Sequence, residues 1–194
     1  MKKLVLSVVA LFTMSIASAQ LREKGAIEIT PQIGYSSANY AGEDVGSLND
    51  PISGVTFGVA GDYFFNDRWS IHSGLLFQTM GTKVGNLKEE LKYLTLPINA
   101  NWHFGGTRKW YLNFGPSVGF LMSAKSVGVD VKDEINSPQL GLNYGIGYKI
   151  AVSEKFSISI DYQGMYGLNQ VPKDSDVSFV NSFGAFNVGG VIKL

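Results

Sequence analysis

The sequence contains no cysteine among its 194 residues. Disulfide bonds, thiolate metal sites and a lipid-modified N-terminal cysteine are therefore excluded. Lysine and arginine balance aspartate and glutamate at 16 each, so no excess of basic charge favours nucleic acid as a partner. After the N-terminal segment, no stretch reaches the roughly 18 uninterrupted apolar residues that a membrane-spanning helix requires. If the chain enters a membrane, it must do so as strands.

The N-terminal segment is typical of a secretory signal peptide. Two lysines precede an apolar run, and Ala17-Ser18-Ala19 behind that run has the form of a cleavage site. The run is too short for a transmembrane helix. We therefore expect export of the chain, removal of residues 1–19, and a single mature domain formed by residues 20–194.

Residues 139–150 alternate strictly between large apolar side chains and polar or glycine residues. A period of two predicts a β-strand with one apolar face and one polar face. The length suits a strand that crosses a membrane at a tilt, which needs roughly 9–11 residues. Because the small residues all lie on the polar face, we expect that face to point inward and the apolar face to meet lipid. A soluble ligand-binding barrel, the least favoured alternative, would need the opposite arrangement.

The same alternation recurs along the chain and predicts eight strands. They lie near residues 25–36, 53–65, 68–81, 91–104, 109–122, 138–152, 155–168 and 182–194. The predicted fold is all-β, an eight-stranded antiparallel up-and-down transmembrane β-barrel. Pro97 and Pro116 lie inside predicted strands, and since proline cannot donate to the ladder we expect a β-bulge at each.

The connections between the predicted strands alternate in length. Short turns follow the second, fourth and sixth strands, whereas longer polar segments lie near 37–52, 82–90, 123–137 and 169–181. Outer-membrane barrels place short turns in the periplasm, so we expect both termini there. Aromatic residues flank the short turns and predict an interfacial girdle at that end. This girdle comprises Phe65, Trp69, Trp102, Phe104, Trp110 and Phe156.

Two segments resemble a known family. Tyr93–Ile98 reads Tyr-Leu-Thr-Leu-Pro-Ile and is similar to the aromatic-Leu-x-apolar-Pro-apolar signature of the PorT-like outer-membrane β-barrel family. Trp110–Pro116, with its final Gly-Pro, is similar to that family's next segment. The resemblance implies an integral outer-membrane barrel of eight strands. Some relatives take part in protein secretion across the outer membrane. The chain departs from many barrels by ending in Leu194 rather than an aromatic residue.

The inward faces of the predicted strands carry ionisable residues. They are Glu28, Asp62, His72, His103, Lys149, Asp161 and Lys193. An eight-stranded barrel has room only for side chains, which favours a charge-paired plug over a proton or solute path. Because the first and last strands should pair at the seam, we expect Glu28 and Lys193 to form a salt bridge. The two histidines lie near one another, but no third metal ligand stands at ligand spacing.

Nothing in the sequence favours catalysis. No nucleophile elbow occurs, and both histidines face inward at the end opposite the long loops. We therefore expect no enzyme activity, no catalytic or metal-binding residue and no cofactor. Glu43, Asp44 and Asp50 make the first long loop acidic, yet their spacing matches no calcium loop.

The predicted function is structural, or binding through the outer loops, because rigid scaffolds commonly present binding residues on loops. The expected partners are outer-membrane lipid and other envelope or secretion proteins. An accessory role in protein secretion, implied by the resemblance, is the alternative, and a small-solute channel is less favoured.

Overall fold

The computed structural model describes residues 22–42, 45, 49–173 and 176–194. The predicted signal peptide therefore lies outside the described residues, as do Glu43 and Asp44. Nearly all of the described chain is β-strand, and Lys132–Glu134 forms a single 3₁₀ turn. None of the described residues forms a helix long and apolar enough to cross a membrane.

Eight long strands form a closed antiparallel barrel, as predicted. The long strands are β1 (Ile27–Ala41), β2 (Asn49–Phe64), β3 (Trp69–Val84), β4 (Leu87–Phe104), β5 (Trp110–Ser126), β7 (Gln139–Ala151), β8 (Phe156–Gly167) and β9 (Val180–Lys193), and β6 (Val129–Asp130) is a short additional strand. Each long strand pairs with its neighbours in sequence, and β1 pairs with β9 to close the barrel. The two-residue β6 pairs only with the end of β5, outside the barrel wall.

The two faces of the wall follow the alternation. Large apolar side chains such as Phe57, Phe114 and Leu142 point outward, each about half exposed at 49–56%. Polar side chains on the intervening positions point inward, and Asn101 and His103 have no exposed surface at all. The predicted apolar-out arrangement is therefore confirmed, and the inward-apolar alternative is excluded by the same exposures.

The barrel has a turn end and a loop end. The turn end carries the connections at 65–68, 105–109 and 152–155 together with both ends of the described chain. The loop end carries the connections at 42–48, 85–86, 127–138 and 168–179. Strand bounds at the turn end agree with the predicted bounds to within about two residues, the usual precision of strand boundaries.

Strands reach further at the loop end than the sequence predicts. The predicted loop near 82–90 is instead the outer part of β3 and β4, joined by Gly85-Asn86, with Val84 paired to Leu87. The predicted loop near 37–52 shrinks to 42–48 for the same reason. The hydrogen-bonded ladder continues through these polar residues because pairing uses backbone groups, whereas the alternation that marks a strand in sequence depends on large apolar side chains.

The prediction of bulges at Pro97 and Pro116 is wrong. Pro97 pairs with Ser117 and Ala100 pairs with Phe114 in one unbroken register, so no residue is inserted between them. The ladder instead skips the pairs between these two, where Pro116 has no N–H to donate. The register shifts lie elsewhere, at Lys92/Tyr93 between β4 and β5, and between β2 and β3.

The interior changes character along the barrel axis. Charged and amide side chains fill the half near the turn end. An apolar cluster fills the half near the loop end, where the loops after β5 and β8 fold over the mouth. We call it the apolar cap, and its larger members are Tyr40, Ile52, Met80, Leu91, Tyr93, Leu121, Ile135, Met165, Val171 and Phe183. The expectation of a polar interior throughout is therefore wrong for the outer half.

Candidate functional site

An ion cluster fills the interior near the turn end. The Lys149 ammonium on β7 lies 2.6 Å from Glu28 Oε2 on β1 and 3.2 Å from Asp62 Oδ2 on β2. All three side chains are at most 6% exposed. Ion pairs removed from water are stable only when each charge has a close partner, and here one ammonium serves two carboxylates.

Glu28 is bound by Lys149 and by Arg22, whereas the sequence predicts a salt bridge with Lys193. Its second carboxylate oxygen, Oε1, accepts a hydrogen bond of 2.6 Å from Arg22 Nε. Lys193 lies opposite Glu28 in the backbone register of the seam, but its side chain is half-buried at the rim of the barrel. Both oxygens of Glu28 are thus bound by cations that come from outside the seam.

Arg22 closes the turn end of the interior. Its guanidinium lies 4.8 Å above the ring of the fully buried Phe64 and donates a 3.1 Å hydrogen bond to the carbonyl of Arg108. Cations bind the faces of aromatic rings, most strongly where water is excluded. The segment before β1 therefore forms part of the plug. Sequence reasoning missed Arg22 because it precedes the first alternating segment.

Asp62, Ser70 and His103 lie in contact, a combination that sequence reasoning also missed. Ser70 Oγ donates to Asp62 Oδ1 at 2.8 Å, and His103 Nε2 lies 3.2 Å from the same hydroxyl. Because the serine proton is used by the carboxylate, His103 must donate to Ser70 and does not act as its base. In a hydrolytic triad the histidine stands between serine and acid. All three side chains are also buried, so the arrangement gives no support for catalysis.

The second histidine joins the same network. His72 Nδ1 lies 3.3 Å from Asp62 Oδ1, and Asn101 Nδ2 donates to that oxygen at 2.8 Å. Both histidines thus converge on Asp62 and its serine neighbour. Over the described ranges of the chain, no group of three or more potential ligands is arranged to hold a metal ion.

Asp161 anchors the opposite side of the interior. It accepts hydrogen bonds of 2.8 Å from Tyr111 Oη and from Asn187 Nδ2, which tie β5, β8 and β9 together. A Cβ at Gly147 would lie 2.3 Å from Tyr111 Cζ, so glycine is required there for the ring to cross the interior. The Lys149 ammonium lies 5.3 Å from the same ring and links Asp161 to the ion cluster.

Small cavities lie among the described interior side chains. Two interior cavities have volumes of about 30 and 10 Å³, and Gln32, His72 and Gln163 line both. Each has room for roughly one water molecule. With the apolar cap above them and Arg22 below, these cavities do not form a continuous passage.

The predicted aromatic girdle forms a contiguous belt outside the turn end. Ring centroids are 6.3 Å apart between Trp69 and Trp102, 5.1 Å between Trp102 and Phe104, and 6.3 Å between Phe104 and Trp110. Tyr148 extends the belt at 4.9 Å from Trp110. Phe65 and Phe156 lie at the same end and are 49% and 39% exposed. Tyr148 lies among the outward-facing residues of its strand, so the alternation in sequence could have assigned it to the girdle.

Of the predicted loop acids, only Asp50 is among the described residues, and it does not lie in a loop. Asp50 lies in β2, exposed, opposite Lys83 of β3 in the cross-strand register. Its backbone carbonyl accepts a hydrogen bond from Thr82 Oγ1 at 3.0 Å. In the third outer connection Asp130 accepts the Lys132 N–H at 2.9 Å, so its carboxylate caps a local turn.

Comparison with solved structures shows the same architecture in outer-membrane proteins. Neisserial surface protein A is 18% identical to this chain. The alignment covers 86% of this chain and 97% of that protein, with a TM-score of 0.58. The outer membrane protein OprG of Pseudomonas aeruginosa is 14% identical, with coverage of 89% and 97% and a TM-score of 0.55. The N-terminal barrel domain of Pseudomonas aeruginosa OprF is 15% identical, with coverage of 88% and 100% and a TM-score of 0.51. At these identities the likeness establishes the fold.

No curated protein matches the chain at a significant level. A family model described as the outer membrane protein beta-barrel domain matches residues 18–173, which is most of the sequence. The match agrees with the closed barrel, the apolar outer wall and the aromatic belt at one end. The chain therefore belongs to the family of outer membrane protein β-barrel domains.

Proposed function

We propose that this barrel is a non-catalytic scaffold that presents a protein-binding surface at its loop end. The observation that carries the proposal is a patch of exposed apolar side chains at the top of the tallest part of the wall. This tip patch consists of Val84, Leu87, Val127 and Val129, whose exposed fractions are 44–66%.

The tip patch stands clear of the membrane. At about 3.3 Å per residue and a tilt of about 40°, the 18 residues of β4 span about 45 Å along the barrel axis. The apolar band of outer-membrane barrels is about 25 Å tall, so the end of β4 lies well beyond it. Lipid therefore does not account for apolar side chains at this height, and exposed apolar patches in water commonly mark protein interfaces.

The tip patch is built on paired strands. Val84 pairs with Leu87 across the Gly85-Asn86 turn, and the backbone N–H of Val127 donates to the Lys88 carbonyl at 2.9 Å. The β3–β4 hairpin and the turn after β5 are thus hydrogen-bonded to each other. A surface held in this way loses little conformational entropy when a partner binds.

Charges on the outer side of the tip add a polar rim. Lys88 Nζ lies 2.7 Å from Glu90 Oε2, and Lys92 Nζ lies 3.1 Å from Glu90 Oε1. An apolar centre with a polar rim is the usual composition of a protein interface. The interior of the described barrel supports the same proposal, since it holds the ion cluster and the apolar cap, and Ser70 beside His103 is buried.

The orientation belongs to the proposal as well. We infer that residues 1–19 are removed on export, that the turn end and both termini face the periplasm, and that the tip patch faces outward. The short turns and the aromatic belt at one end support this orientation. Mass spectrometry of the mature protein should find Gln20 at its start, and an intact Met1 would contradict the export signal.

The motif at Tyr93–Ile98 supports a finer assignment to the PorT-like branch, and with it an accessory role in secretion. Here Tyr93 belongs to the apolar cap, and the Pro97 carbonyl accepts a 2.7 Å hydrogen bond from Ser73 Oγ. Co-purification of secretion components from detergent-solubilised outer membranes would test this assignment.

Site-specific photo-crosslinking tests the binding surface directly. The photoreactive residue p-benzoylphenylalanine replaces Val129 in one variant and Phe114 in the control, since Phe114 lies on the wall at membrane height and is 56% exposed. In intact cells we expect a discrete protein adduct from position 129 and none from position 114. The pair Leu87→Ser and Val129→Ser should abolish binding of the captured partner to the purified barrel. Equal adducts at both positions, or none at position 129, would contradict the proposal.

A further inference from the structure

A groove crosses the outer wall of β7, β8, β9 and β1. Its floor is one transverse row of paired residues, in which Tyr144 pairs with Gly164, Gly164 with Gly184, and Gly184 with Ser37. Two tyrosine rings lie across the glycines of this row, since a Cβ at Gly164 would be 2.3 Å from Tyr144 Cζ and a Cβ at Gly184 would be 2.4 Å from Tyr162 Oη. Beside these rings, the small Gly184 and Ser37 leave the wall low. The resulting depression has a volume of about 320 Å³.

The two banks of the groove differ in chemistry. On the side towards the turn end, Tyr162, Phe186 and Tyr35 form an aromatic bank, and the Tyr35 hydroxyl is fixed by a 2.6 Å hydrogen bond to Ser53 Oγ. On the side towards the loop end, Ser182 and Asn39 form a polar bank. No residue that lines the groove carries a charge.

We propose that this groove binds one acyl chain of a membrane lipid in the leaflet at the loop end. The groove opens on the face that meets the membrane, so its occupant comes from the membrane. The aromatic bank contacts the chain, while Ser37, Ser182 and Asn39 supply hydroxyl and amide donors for the ester or amide carbonyl that links the chain to its headgroup. The groove changes from aromatic to hydroxyl and amide side chains towards the loop end, as a lipid changes from its acyl chain to its headgroup. Because the lining is uncharged, the groove does not select for a phosphate.

The shape of the groove favours a lipid chain over a second copy of the barrel. Phe186 and Tyr35 project from one bank as ridges that are 68% and 63% exposed. A second barrel would present a broad convex wall, which these ridges hold away from the floor. Stable protein interfaces bury about 800 Å² per partner with close complementarity, whereas a narrow flexible chain needs only the groove itself.

Native mass spectrometry of the detergent-solubilised full chain tests the site. The protein is incubated with vesicles of palmitoyl-oleoyl phosphatidylethanolamine, re-extracted and washed, and the retained lipid is counted. We expect one lipid per wild-type barrel. Ser37→Trp should fill the floor and reduce retention about tenfold, the change expected when contact with roughly two methylene groups is lost. Ala100→Trp is the matched control, because Ala100 points outward on β4 at the opposite side of the barrel, and it should retain the lipid.

A second variant tests the site without adding a large side chain to the groove. The combined change Ser37→Ala, Asn39→Ala and Ser182→Ala leaves the groove open but removes its donors, and retention of phosphatidylethanolamine should fall while the barrel remains folded by gel mobility. Equal retention by wild type and Ser37→Trp would overturn the proposal. A wild-type dimer lost on Ser37→Trp would overturn it too, by assigning the groove to a second copy.

Discussion

Lys149 shows how interior side chains find partners in a narrow barrel. Its strand, β7, is separated from β1 and β2 in the wall, yet its ammonium reaches carboxylates on both. In an eight-stranded barrel the interior is only as wide as the side chains that fill it. Partners across the interior are therefore closer than their strand order suggests.

Replacing Lys149 should be the most damaging change in the ion cluster. Lys149→Met leaves Glu28 and Asp62 buried beside one another without their shared cation, and we expect a loss of about 3–5 kcal/mol in the free energy of unfolding. Urea unfolding in lipid vesicles measures this loss. Lys155→Met, at an exposed lysine of the same end, should change stability by less than about 0.5 kcal/mol. Similar losses for both variants would show that the cluster does not hold the fold.

Substitution should cost more stability on the outer face of β7 than on its inner face. Ile146 is 43% exposed on the outer wall, so Ile146→Arg places a charge in the apolar band at a cost of about 2–4 kcal/mol. Asn143→Ser, on the inner face, loses hydrogen bonds with Asn99 and Ser117 but retains a hydroxyl, and should cost about 1 kcal/mol. Refolding yields and urea midpoints in the same vesicles compare the two. A larger loss for Asn143→Ser would reverse the assignment of the faces.

The face of each residue was predictable from sequence, but its partner was not. Alternation alone placed Glu28, Asp62, His103 and Lys149 inside. The sequence predicted Lys193 as the partner of Glu28 because a strand order specifies contacts between adjacent strands only. Lys149 reaches across the interior because the barrel is narrow, and alternation does not give the width of a barrel. Arg22 packs over Phe64 from a segment that has no periodicity, so no sequence pattern marks it.

At the scale of elements, β4 and β5 approach closely at Gly115. A Cβ at Gly115 would lie 2.2 Å from the Ile98 carbonyl oxygen and 2.7 Å from Asn99 Cα, which are backbone atoms that cannot rotate away. The missing N–H of Pro116 and the bare Gly115 thus fall together at the pairs that the ladder skips. This replaces the predicted bulges as the way the barrel accommodates its prolines.

Gly115→Ala should force β4 and β5 apart. We expect a loss of about 1–3 kcal/mol, as for other overpacked sites, with faster hydrogen exchange at the amides of Ala100 and Phe114. Gly106→Ala in the neighbouring turn is the control, because nothing lies within 4 Å of the added methyl group. Unchanged exchange in Gly115→Ala would mean that the strands yield there without cost.

The outer parts of the strands were the least predictable elements. β1 to β5 contain 15–18 residues, whereas β7 to β9 contain 12–14. Beyond the membrane band an outward side chain meets water, so selection for apolar outward residues ends while backbone pairing continues. The apolar cap escaped notice for a related reason, since Met80, Leu91 and Tyr93 are apolar residues on what is the polar face lower in the same strands.

For the whole molecule, a filled interior predicts a closed barrel. Purified protein in a planar bilayer should give at most small, irregular current steps, and liposomes that carry it should not swell in sugar solutions. The reasons are the ion cluster with Arg22 at one end, the apolar cap at the other, and cavities of only about 30 and 10 Å³ between them. A porin reconstituted in parallel provides the positive control. Steady nanosiemens openings would replace the scaffold proposal with a transport function.

The unequal heights of the wall also place the tip patch away from the barrel axis. As the barrel spins in the plane of the membrane, the tip sweeps a circle, and successive neighbours pass before it. A large or immobile partner held at the tip would slow or stop this rotation, because the partner would have to be carried round the circle. Rotational diffusion of the barrel in the membrane thus becomes a direct measure of occupancy at the tip.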